Sequence, residues 1–374
     1  MDKQTLFYAI ALSQTKGIGP GAAKNLIAYL GSPEAVFREK DSVLCKIPGI
    51  GISVAKRIKD ATAFATAEKE LLFIEKNNIH PIYFTEKNYP FRLKECVNSP
   101  ILLYARGNLE LNSRKYISVV GTRDATVYGK NFCREFVASL SKLLENFTII
   151  SGMAYGIDIS SHKSAIENNV PTIGVLGHGF DRWYPAAHRS IALKILERDD
   201  SGFITEYVSG SILDKSNFVQ RNRIVAGLCD ALIVVESGAK GGSLISAEMA
   251  FSYNRDVFAV PGRIDDKYSI GCNRLIKQNK AAMIESAADL IQYMNWHVPG
   301  SKKNAVQQRL FVDLSEEEEH IVSVLTKHGD GIQINELALI LNKPYSKLSS
   351  TLLEMEFKDI VNCHPGGVYK LSSR

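Results

Sequence analysis

Short apolar runs rich in β-branched residues recur through the middle of the chain, each followed by a glycine-containing loop and an amphipathic segment. Five such runs are Tyr116–Val120, Phe147–Ile150, Thr172–Leu176, Ala231–Val235 and Val257–Val260. Their hydrophobicity is continuous rather than alternating, which is typical of strands covered on both faces. Repeated strand–loop–helix units predict an α/β fold with a doubly wound, Rossmann-like, mostly parallel sheet. Ligands on such sheets bind where strands end and helices begin.

The sequence on either side of these runs has a different character, and 374 residues allow two to four domains. We predict a helical domain over residues 1–78, an extended Rossmann-like domain over 79–296, a polar linker over 297–313 and a small domain over 314–374. In the last of these, a helix capped by Ser315 precedes a helix-turn-helix pattern and a two-stranded wing. That order predicts a winged-helix domain.

The first domain contains a weak internal repeat. A glycine-rich turn entering an amphipathic helix at residues 16–26 recurs 32 residues later at 48–58, with Lys24 and Lys56 at the same offset. The pattern resembles a tandem helix-hairpin-helix, also called SAM-like, in which amides at a helix N-terminus contact a phosphate. Alternatively, the glycines only permit a tight turn between packed helices.

Charge and cysteine usage narrow the class of protein. The net charge of +5 and pI of 8.7 are compatible with an acidic partner such as nucleic acid but do not require one. The six cysteines are scattered without a CxxC pair, so we expect neither a disulfide framework nor a metal site, and a reducing cytoplasm fits. The first apolar run is too short and interrupted for a membrane span or signal peptide. We expect no cofactor and no membrane partner.

Two loops after the apolar runs carry phosphate-binding groups. Gly121 lets the chain turn close to a ligand, Thr122 offers a hydroxyl, and Arg123 can form a forked contact with a phosphate. The alternative for Arg123 is a brace that pairs with a nearby carboxylate. The second run ends in Ser151 and Gly152, which predict an anion cradle of backbone amides at a helix N-terminus.

The segment KSNFVQRNRIVAGL at residues 215–228 combines cations for phosphates with a ring on which an unpaired base can stack. Helical spacing projects Lys215, Phe218 and Asn222 in one general direction. The alternative for Phe218 is a core aromatic, but its position between a lysine and two arginines favours stacking. We expect this segment to be a binding surface for single-stranded nucleic acid.

The two arginines of this segment point to different sides of the helix. We expect one of Arg221 and Arg223 to contact phosphate and the other to tie the helix to the sheet through an acid such as Asp158 or Glu206. The loop after the fourth run adds small residues and one cation to the same sheet edge, namely Lys240, Gly242 and Ser243.

Other site types are less well supported. There is no G-x-G-x-x-G after the first run, and Ser151 stands where a dinucleotide site needs an acid. Residues 177–185 offer His178, Asp181 and Arg182 as catalytic candidates, but no serine or cysteine nucleophile adjoins them in sequence. A hydrolase triad assembled from distant parts of the chain stays an alternative.

Ordered blocks between residues 119 and 276 resemble the DprA (Smf) family of DNA-processing proteins. The blocks are VVGTR at 119–123, SGMAYGID at 151–158, GHGFDRWYP at 177–185, FVQRNRIVAGL at 218–228, GAKGGSL at 238–244, PG at 261–262 and GCNRLI at 271–276. The flanking helical and winged-helix regions are similar to those of longer members of the family.

The resemblance implies a protein that binds and shields single-stranded DNA and loads the RecA recombinase onto it, past single-strand-binding protein, in natural transformation. Family members are not known as enzymes. The resemblance places the DNA site on Arg123, Lys215 and Phe218. It also implies a homodimer, whose interface falls near Tyr268, Ile270, Leu275 and Ile276.

We therefore predict a cytoplasmic, dimeric, single-stranded-DNA-binding mediator of recombination, without a catalytic residue. One alternative is a nucleotide-processing Rossmann enzyme of the nucleoside-monophosphate phosphoribohydrolase type, whose motif is approached by GGSLISAE ending at Glu248. The other is a transcription regulator led by the winged helix. Its presumed recognition helix carries Lys347 and Lys358 but also Glu354 and Glu356, so duplex binding is not favoured.

Overall fold

The computed structural model describes residues 1–296, 314–328, 331–358, 360–364 and 367–372. The chain divides into two compact units, Met1–Pro299 and Gly300–Arg374. The linker predicted over 297–313 lies outside the described residues. Within the described ranges, every helix is too short or too polar to cross a lipid bilayer.

Six helices form the N-terminal region: α1 Lys3–Gln14, α2 Pro20–Leu30, α3 Pro33–Arg38, α4 Asp41–Leu44, α5 Ile52–Ile58 and α6 Ala61–Lys76. The internal repeat recurs in the backbone. Gly17 and Gly49 have φ of +87° and +85°, a left-handed conformation that favours glycine. Gly19 and Gly51 then cap α2 and α5 without a side-chain hydrogen bond.

The helical region packs against the rest of the first unit through a buried acid. Glu70 on α6 is 3% exposed and accepts hydrogen bonds from the backbone amide of Ser209 at 2.7 Å and from its hydroxyl. Burial raises the pKa of Glu70. Lys24 on α2 donates to the Ser99 hydroxyl at 2.5 Å. Both regions lie in one compact unit, and the domain boundary at residue 78 stays a prediction.

Nine strands form the large sheet: β1 His80–Tyr83, β2 Leu102–Gly107, β3 Lys115–Val120, β4 Phe147–Ser151, β5 Thr172–Val175, β6 Gly202–Thr205, β7 Ala231–Val234, β8 Asp256–Ala259 and β9 Ala282–Met283. Their spatial order is β1-β2-β6-β5-β4-β3-β7-β8-β9. β1 pairs antiparallel with β2, and β2 pairs antiparallel with β6. All other neighbouring strands of this sheet pair parallel. The predicted mostly parallel sheet is confirmed.

Helices cover both faces of the sheet: α7 Phe91–Lys94, α8 Val127–Leu143, α9 Ile157–Glu167, α10 Arg189–Leu196, α11 Lys215–Leu228, α12 Gly242–Ser252, α13 Ile270–Lys277 and α14 Ala287–Tyr293. Strand residues alternate between the two cores. Ile117 and Val119 pack with α8 and α14 in one cluster, whereas Tyr116 and Val120 pack with α11 and α12 in the other. This alternation makes the sheet doubly wound, as predicted.

The direction of winding reverses between β3 and β7, which are neighbours. From β3 the chain passes through α8 to β4, and from β7 it passes through α12 to β8 on the opposite face. Loops that leave adjacent strands toward opposite faces open a crevice at the carboxyl edge of the sheet, which is where open α/β sheets bind ligands.

The second unit has the winged-helix arrangement. Its elements are α15 Glu316–Lys327, β10 Ile332–Gln333, α16 Ile334–Ile340, α17 Tyr345–Phe357, β11 Val361–His364 and β12 Val368–Leu371. The strands pair antiparallel in the order β10-β12-β11. Ser315 caps α15 in a capping box with Glu318, as the acidic run after the serine predicts.

The lysines of the presumed recognition helix face acids of the same unit. Lys347 on α17 lies 2.9 Å from Glu317, and Lys358, which follows the helix, lies 2.6 Å from Glu318. These ion pairs neutralise the positive charge of lysines that would otherwise be available to the phosphates of DNA. The arrangement agrees with the expectation that this helix is not specialised for duplex DNA.

Candidate nucleic-acid interface

A cavity of about 380 Å³ opens at the crevice between β3 and β7. It is lined by the loops after β3, β4 and β7 and by the first turns of α11 and α12. Most of the residues predicted for the site line it: Gly121, Thr122, Arg123, Gly152, Lys215, Phe218, Arg221, Asn222, Lys240, Gly242 and Ser243. Ser151 and Arg223 are not among the lining residues.

Three cations at the cavity are exposed, namely Arg123 after β3, Lys215 at the start of α11 and Lys240 after β7. None of them forms an ion pair with another described residue. Three separate segments therefore bring exposed positive charge to one opening, which the acids Asp124 and Asp158 also line. Such an opening attracts an anion longer than a single phosphate, because the charges are spread over its rim.

The loop that carries Arg123 is held by backbone contacts. The Thr122 amide donates to the Glu236 carbonyl at 2.8 Å, and the Ile157 amide donates to the Thr122 carbonyl at 3.2 Å. Gly156, with φ of +77°, brings α9 against this loop so closely that a Cβ there would overlap the Thr122 carbonyl. The glycine thus serves close packing of two loops. Arg123 is exposed at the tip of a loop fixed on both sides.

Phe218 is half-buried at the edge of the cavity, one turn after Lys215 on α11. Its ring lies 5.4 Å from the ring of Tyr184, centroid to centroid, with the planes at 41°. Tyr184 is 48% exposed. Tyr184 was not predicted as a neighbour of the site. Its signal was an aromatic residue in a loop after a sheet strand.

Arg221 lines the cavity but its guanidinium is used inside the protein. It is 3% exposed, and its guanidinium Nη1 donates to the carbonyls of Gly152 and Val175. Asp158 is also buried, and burial raises the pKa of its carboxyl while the charge of Arg221 opposes this shift. The helix α11 has turned Arg221 inward, where it holds the loop after β4 in place.

Arg223 is the residue that ties α11 to an acid. It is 9% exposed and lies 2.5 Å from Glu206, as the sequence analysis considered for one of the two arginines. Both arginines are buried and pair with groups of the protein itself. A phosphate contact by one of them stays a prediction, and only Arg221 lines the cavity.

Two serines predicted for the site have hydroxyls directed inward. Ser151 is fully buried, and its hydroxyl donates to the Val119 carbonyl at 2.6 Å. Ser243 is 5% exposed and donates to the Ser237 hydroxyl at 2.9 Å. Both side chains join neighbouring segments of the sheet edge. Their hydroxyls are therefore used within the protein, and the cradle depends on backbone amides.

The start of α12 supplies such amides. Gly241 caps this helix without a side-chain hydrogen bond, and both Gly241 and Gly242 are exposed at the cavity. Asn222 on α11 donates through its side-chain amide to the Gly242 carbonyl at 3.3 Å, which fixes the two helix starts relative to each other. The positive end of α12 therefore faces the cavity together with the three cations.

The residues predicted for a dimer interface are not equally accessible. Leu275 is 3% exposed and belongs to the core beside α12, so it cannot form a surface contact. Ile276 packs against the same core, and the Tyr268 hydroxyl lies 3.4 Å from a carboxylate oxygen of Asp124. Only Ile270 is broadly exposed, at 42%. Of the four residues predicted for the interface, Ile270 alone is thus well exposed to a second copy.

His178 and Glu248, two residues considered for catalysis, are held by contacts within the protein. His178 is buried, and its two ring nitrogens lie 2.8 Å and 3.4 Å from the carbonyls of Gly179 and Tyr184. Burial lowers the pKa of His178. Glu248, the acid of the phosphoribohydrolase alternative, does not line the cavity and instead lies 3.4 Å from Lys280. Glu248 therefore pairs with a lysine outside the cavity.

Two family models match the chain. The model of DNA recombination-mediator protein A matches residues 80–295, and that of a SAM-like helix-hairpin-helix tandem matches residues 9–63. The second match confirms the predicted tandem helix-hairpin-helix. DNA processing protein DprA of Streptococcus pneumoniae is 38% identical over 203 residues, which are 54% of this chain and 70% of that protein.

Two solved structures are similar to this chain. The X-ray structure of DprA from Streptococcus pneumoniae has a TM-score of 0.65 and 31% identity, covering 78% of this chain and 99% of that one. DNA processing protein A from Helicobacter pylori has a TM-score of 0.51 and 25% identity, covering 58% of this chain and 95% of that one. The Helicobacter pylori structure concerns the single-stranded DNA binding mode of that protein.

Proposed function

The chain belongs to the DNA recombination-mediator protein A family, and we propose that its sheet-edge cavity binds single-stranded DNA. The observation that supports the proposal most strongly is the meeting of Arg123, Lys215 and Phe218 at one open cavity. These residues come from two segments that lie far apart in sequence. The Helicobacter pylori relative, which binds single-stranded DNA, supports the same conclusion.

The cavity suits the sugar-phosphate backbone. Arg123, Lys215 and Lys240 are exposed cations, and the amides of Gly241 and Gly242 add partial positive charge at a helix start. Lysine and arginine contacts to phosphates release counterions, which drives nucleic-acid binding and makes it depend on salt. None of these groups reads a base edge, so we expect little sequence preference.

The aromatic pair favours an unpaired strand over a duplex. Phe218 and Tyr184 lie side by side, and Lys215 is one turn before Phe218 on α11. A base can therefore stack on a ring while its phosphate contacts the lysine. In a duplex the bases are stacked on one another and their faces are not available. We therefore expect single-stranded DNA to bind more tightly than duplex DNA of the same length.

The wider function follows from the family. We propose that the protein acts as a recombination mediator in the processing of incoming DNA and delivers the strand to the RecA recombinase, with single-strand-binding protein as a further partner. We also propose a cytoplasmic homodimer that contacts one strand with two cavities. Linking two sites on one strand increases avidity without new contacts. The family description as a recombination mediator supports the recombinase partner.

Replacing Phe218 tests the proposed stacking. Phe218→Ala should weaken binding of oligo-dT by about 5- to 150-fold, because base stacking on an aromatic ring contributes about 1–3 kcal/mol per base. Phe218→Tyr should keep most of the affinity, since it retains a ring. Fluorescence anisotropy with labelled oligo-dT and with a duplex of equal length measures both effects. Equal affinity of the wild type for the two DNA forms would contradict the proposed function.

A further inference from the structure

A second groove adjoins the DNA cavity, and we propose that it holds the continuation of the same single strand. The inference rests on the proposed function of the first cavity. The second groove has a volume of about 610 Å³ and lies between α8 and α9. The two depressions share Arg123 and Asp124 as lining residues, so Arg123 stands at their junction.

The groove carries an excess of positive charge. Its charged side chains are Arg123, Lys130, Arg134 and Lys163 on the basic side and Asp124 and Glu167 on the acidic side. All four cations are exposed. Among the described residues, Lys130 and Lys163 form no ion pair, and Arg134 only approaches Glu135 at 3.9 Å. The positive charge is therefore available to an external anion.

Helical spacing places polar side chains of the groove in two rows, with two cations on α8 and one cation on α9. Lys130 and Arg134 are one turn apart on α8, and Ser160, Lys163 and Glu167 succeed one another along the facing side of α9. Two parallel rows of side chains leave a channel between them. A groove with cations on both sides suits a flexible polyanion such as a nucleic-acid strand. A small anion would instead need several cations directed at one point.

An aromatic ring lies at the near end of the groove. Tyr155 is 49% exposed and follows β4, and its ring contacts that of His188 edge-on at 4.7 Å between centroids. His188 is buried, and one of its ring nitrogens lies 2.9 Å from the Met153 carbonyl. A buried, hydrogen-bonded neighbour thus contacts the ring of an exposed tyrosine. This is a second ring on which a base can stack, on the opposite side of Arg123 from Phe218.

The combination of a ring and flanking cations occurs on both sides of Arg123. In the first cavity it consists of Phe218 with Lys215, and in the groove it consists of Tyr155 with Lys163 and Lys130. A strand that passes Arg123 would meet the same chemistry twice. The geometry assigns the groove to nucleotides beyond those in the first cavity, so its contribution must depend on oligonucleotide length.

The test compares oligo-dT of about 4 and about 16 nucleotides, the range of site sizes for single-strand-binding modules. The variant Lys130→Ala/Lys163→Ala should bind the short DNA like the wild type. On the long DNA, the slope of log K against log salt should become shallower by about 1.4, since each phosphate contact on a single strand contributes about 0.7. Tyr155→Ala should weaken binding of the long DNA about fivefold or more, and Tyr155→Phe should not.

Lys142→Ala/Lys194→Ala is the matched control, because both lysines are exposed on α8 and α10 and line neither depression. It removes the same charge and should leave the slope unchanged. An unchanged slope of Lys130→Ala/Lys163→Ala on the long DNA would overturn the inference, as would an equal loss on both lengths. A wild type that binds neither DNA would instead contradict the proposed function of the first cavity.

Discussion

The double variant Arg123→Ala/Lys215→Ala is expected to bind single-stranded DNA at least about 100-fold more weakly than the wild type. Each side chain is an exposed cation at the same cavity without an ion-pair partner among the described residues. A hydrogen bond to a charged group contributes about 1.5–3 kcal/mol, or about tenfold or more in affinity for each contact. The slope of log K against log salt should become shallower by about 1.4.

The control for this variant is Arg189→Ala/Lys194→Ala. Both residues are exposed on α10, outside the cavity, and the pair removes one arginine and one lysine in the same way. We expect it to bind like the wild type with the same salt dependence. If both double variants lost affinity equally, the effect would come from overall charge, and the cavity would not be the contact site.

Arg221→Met is expected to destabilise the first unit by about 3–5 kcal/mol. Removing one partner from a buried charged network leaves the others uncompensated in a medium of low polarity. Here the variant would leave the carbonyls of Gly152 and Val175 without their donor and would leave Asp158 buried without its neighbouring positive charge. Methionine roughly preserves the length of the side chain, so the lost contacts rather than a large cavity dominate the result.

Tryptophan fluorescence in a urea titration measures this effect, since both tryptophans, Trp183 and Trp296, lie in the first unit. Gln220→Met is the control, because Gln220 is exposed on the same helix and should change stability by less than about 0.5 kcal/mol. An Arg221→Met variant that unfolds at the wild-type urea concentration but loses DNA binding would show that Arg221 contacts DNA directly. That result would contradict its assignment as an internal support.

The sequence predicts the centre of the sheet well and its edge poorly. Runs such as Phe147–Ile150 are buried on both faces, and their continuous hydrophobicity makes them recognisable. The edge strands β1 and β2 and the short β6 were not identified. β6 begins with Gly202 and ends with Thr205, so it has only two apolar residues and a weak local pattern. Its place in the sheet is set by pairing with β2 and β5, which are distant in sequence.

For the site, sequence reasoning identified the segments but not the direction of every side chain. Loops that follow parallel strands meet at one edge of the sheet, so Arg123 and Lys215 could be brought together from topology alone. The inward direction of Arg221 and Arg223 depends on the exact rotation of α11 against the sheet. That rotation is fixed by contacts of the two arginines with Gly152 and Glu206. These residues directly follow β4 and β6, outside α11 itself.

The groove between α8 and α9 had no signal in the linear sequence. Lys130 and Lys163 are isolated lysines on amphipathic helices, and such residues are common on solvated faces. Their significance comes from the packing of two helices side by side and from the continuity with Arg123. The proposed extension of the DNA path therefore depends on tertiary contacts that local motifs do not encode.

The most direct test of the central claim is photocrosslinking with an oligonucleotide that carries 5-bromodeoxyuridine, followed by peptide mapping. We predict that the main adduct of the wild-type protein lies in the peptide containing Phe218 or in that containing Tyr184, and that Arg123→Ala/Lys215→Ala reduces it strongly. Adducts confined to residues 1–78 or to the winged-helix unit would contradict the account, because the strand would then be bound away from the carboxyl edge of the sheet.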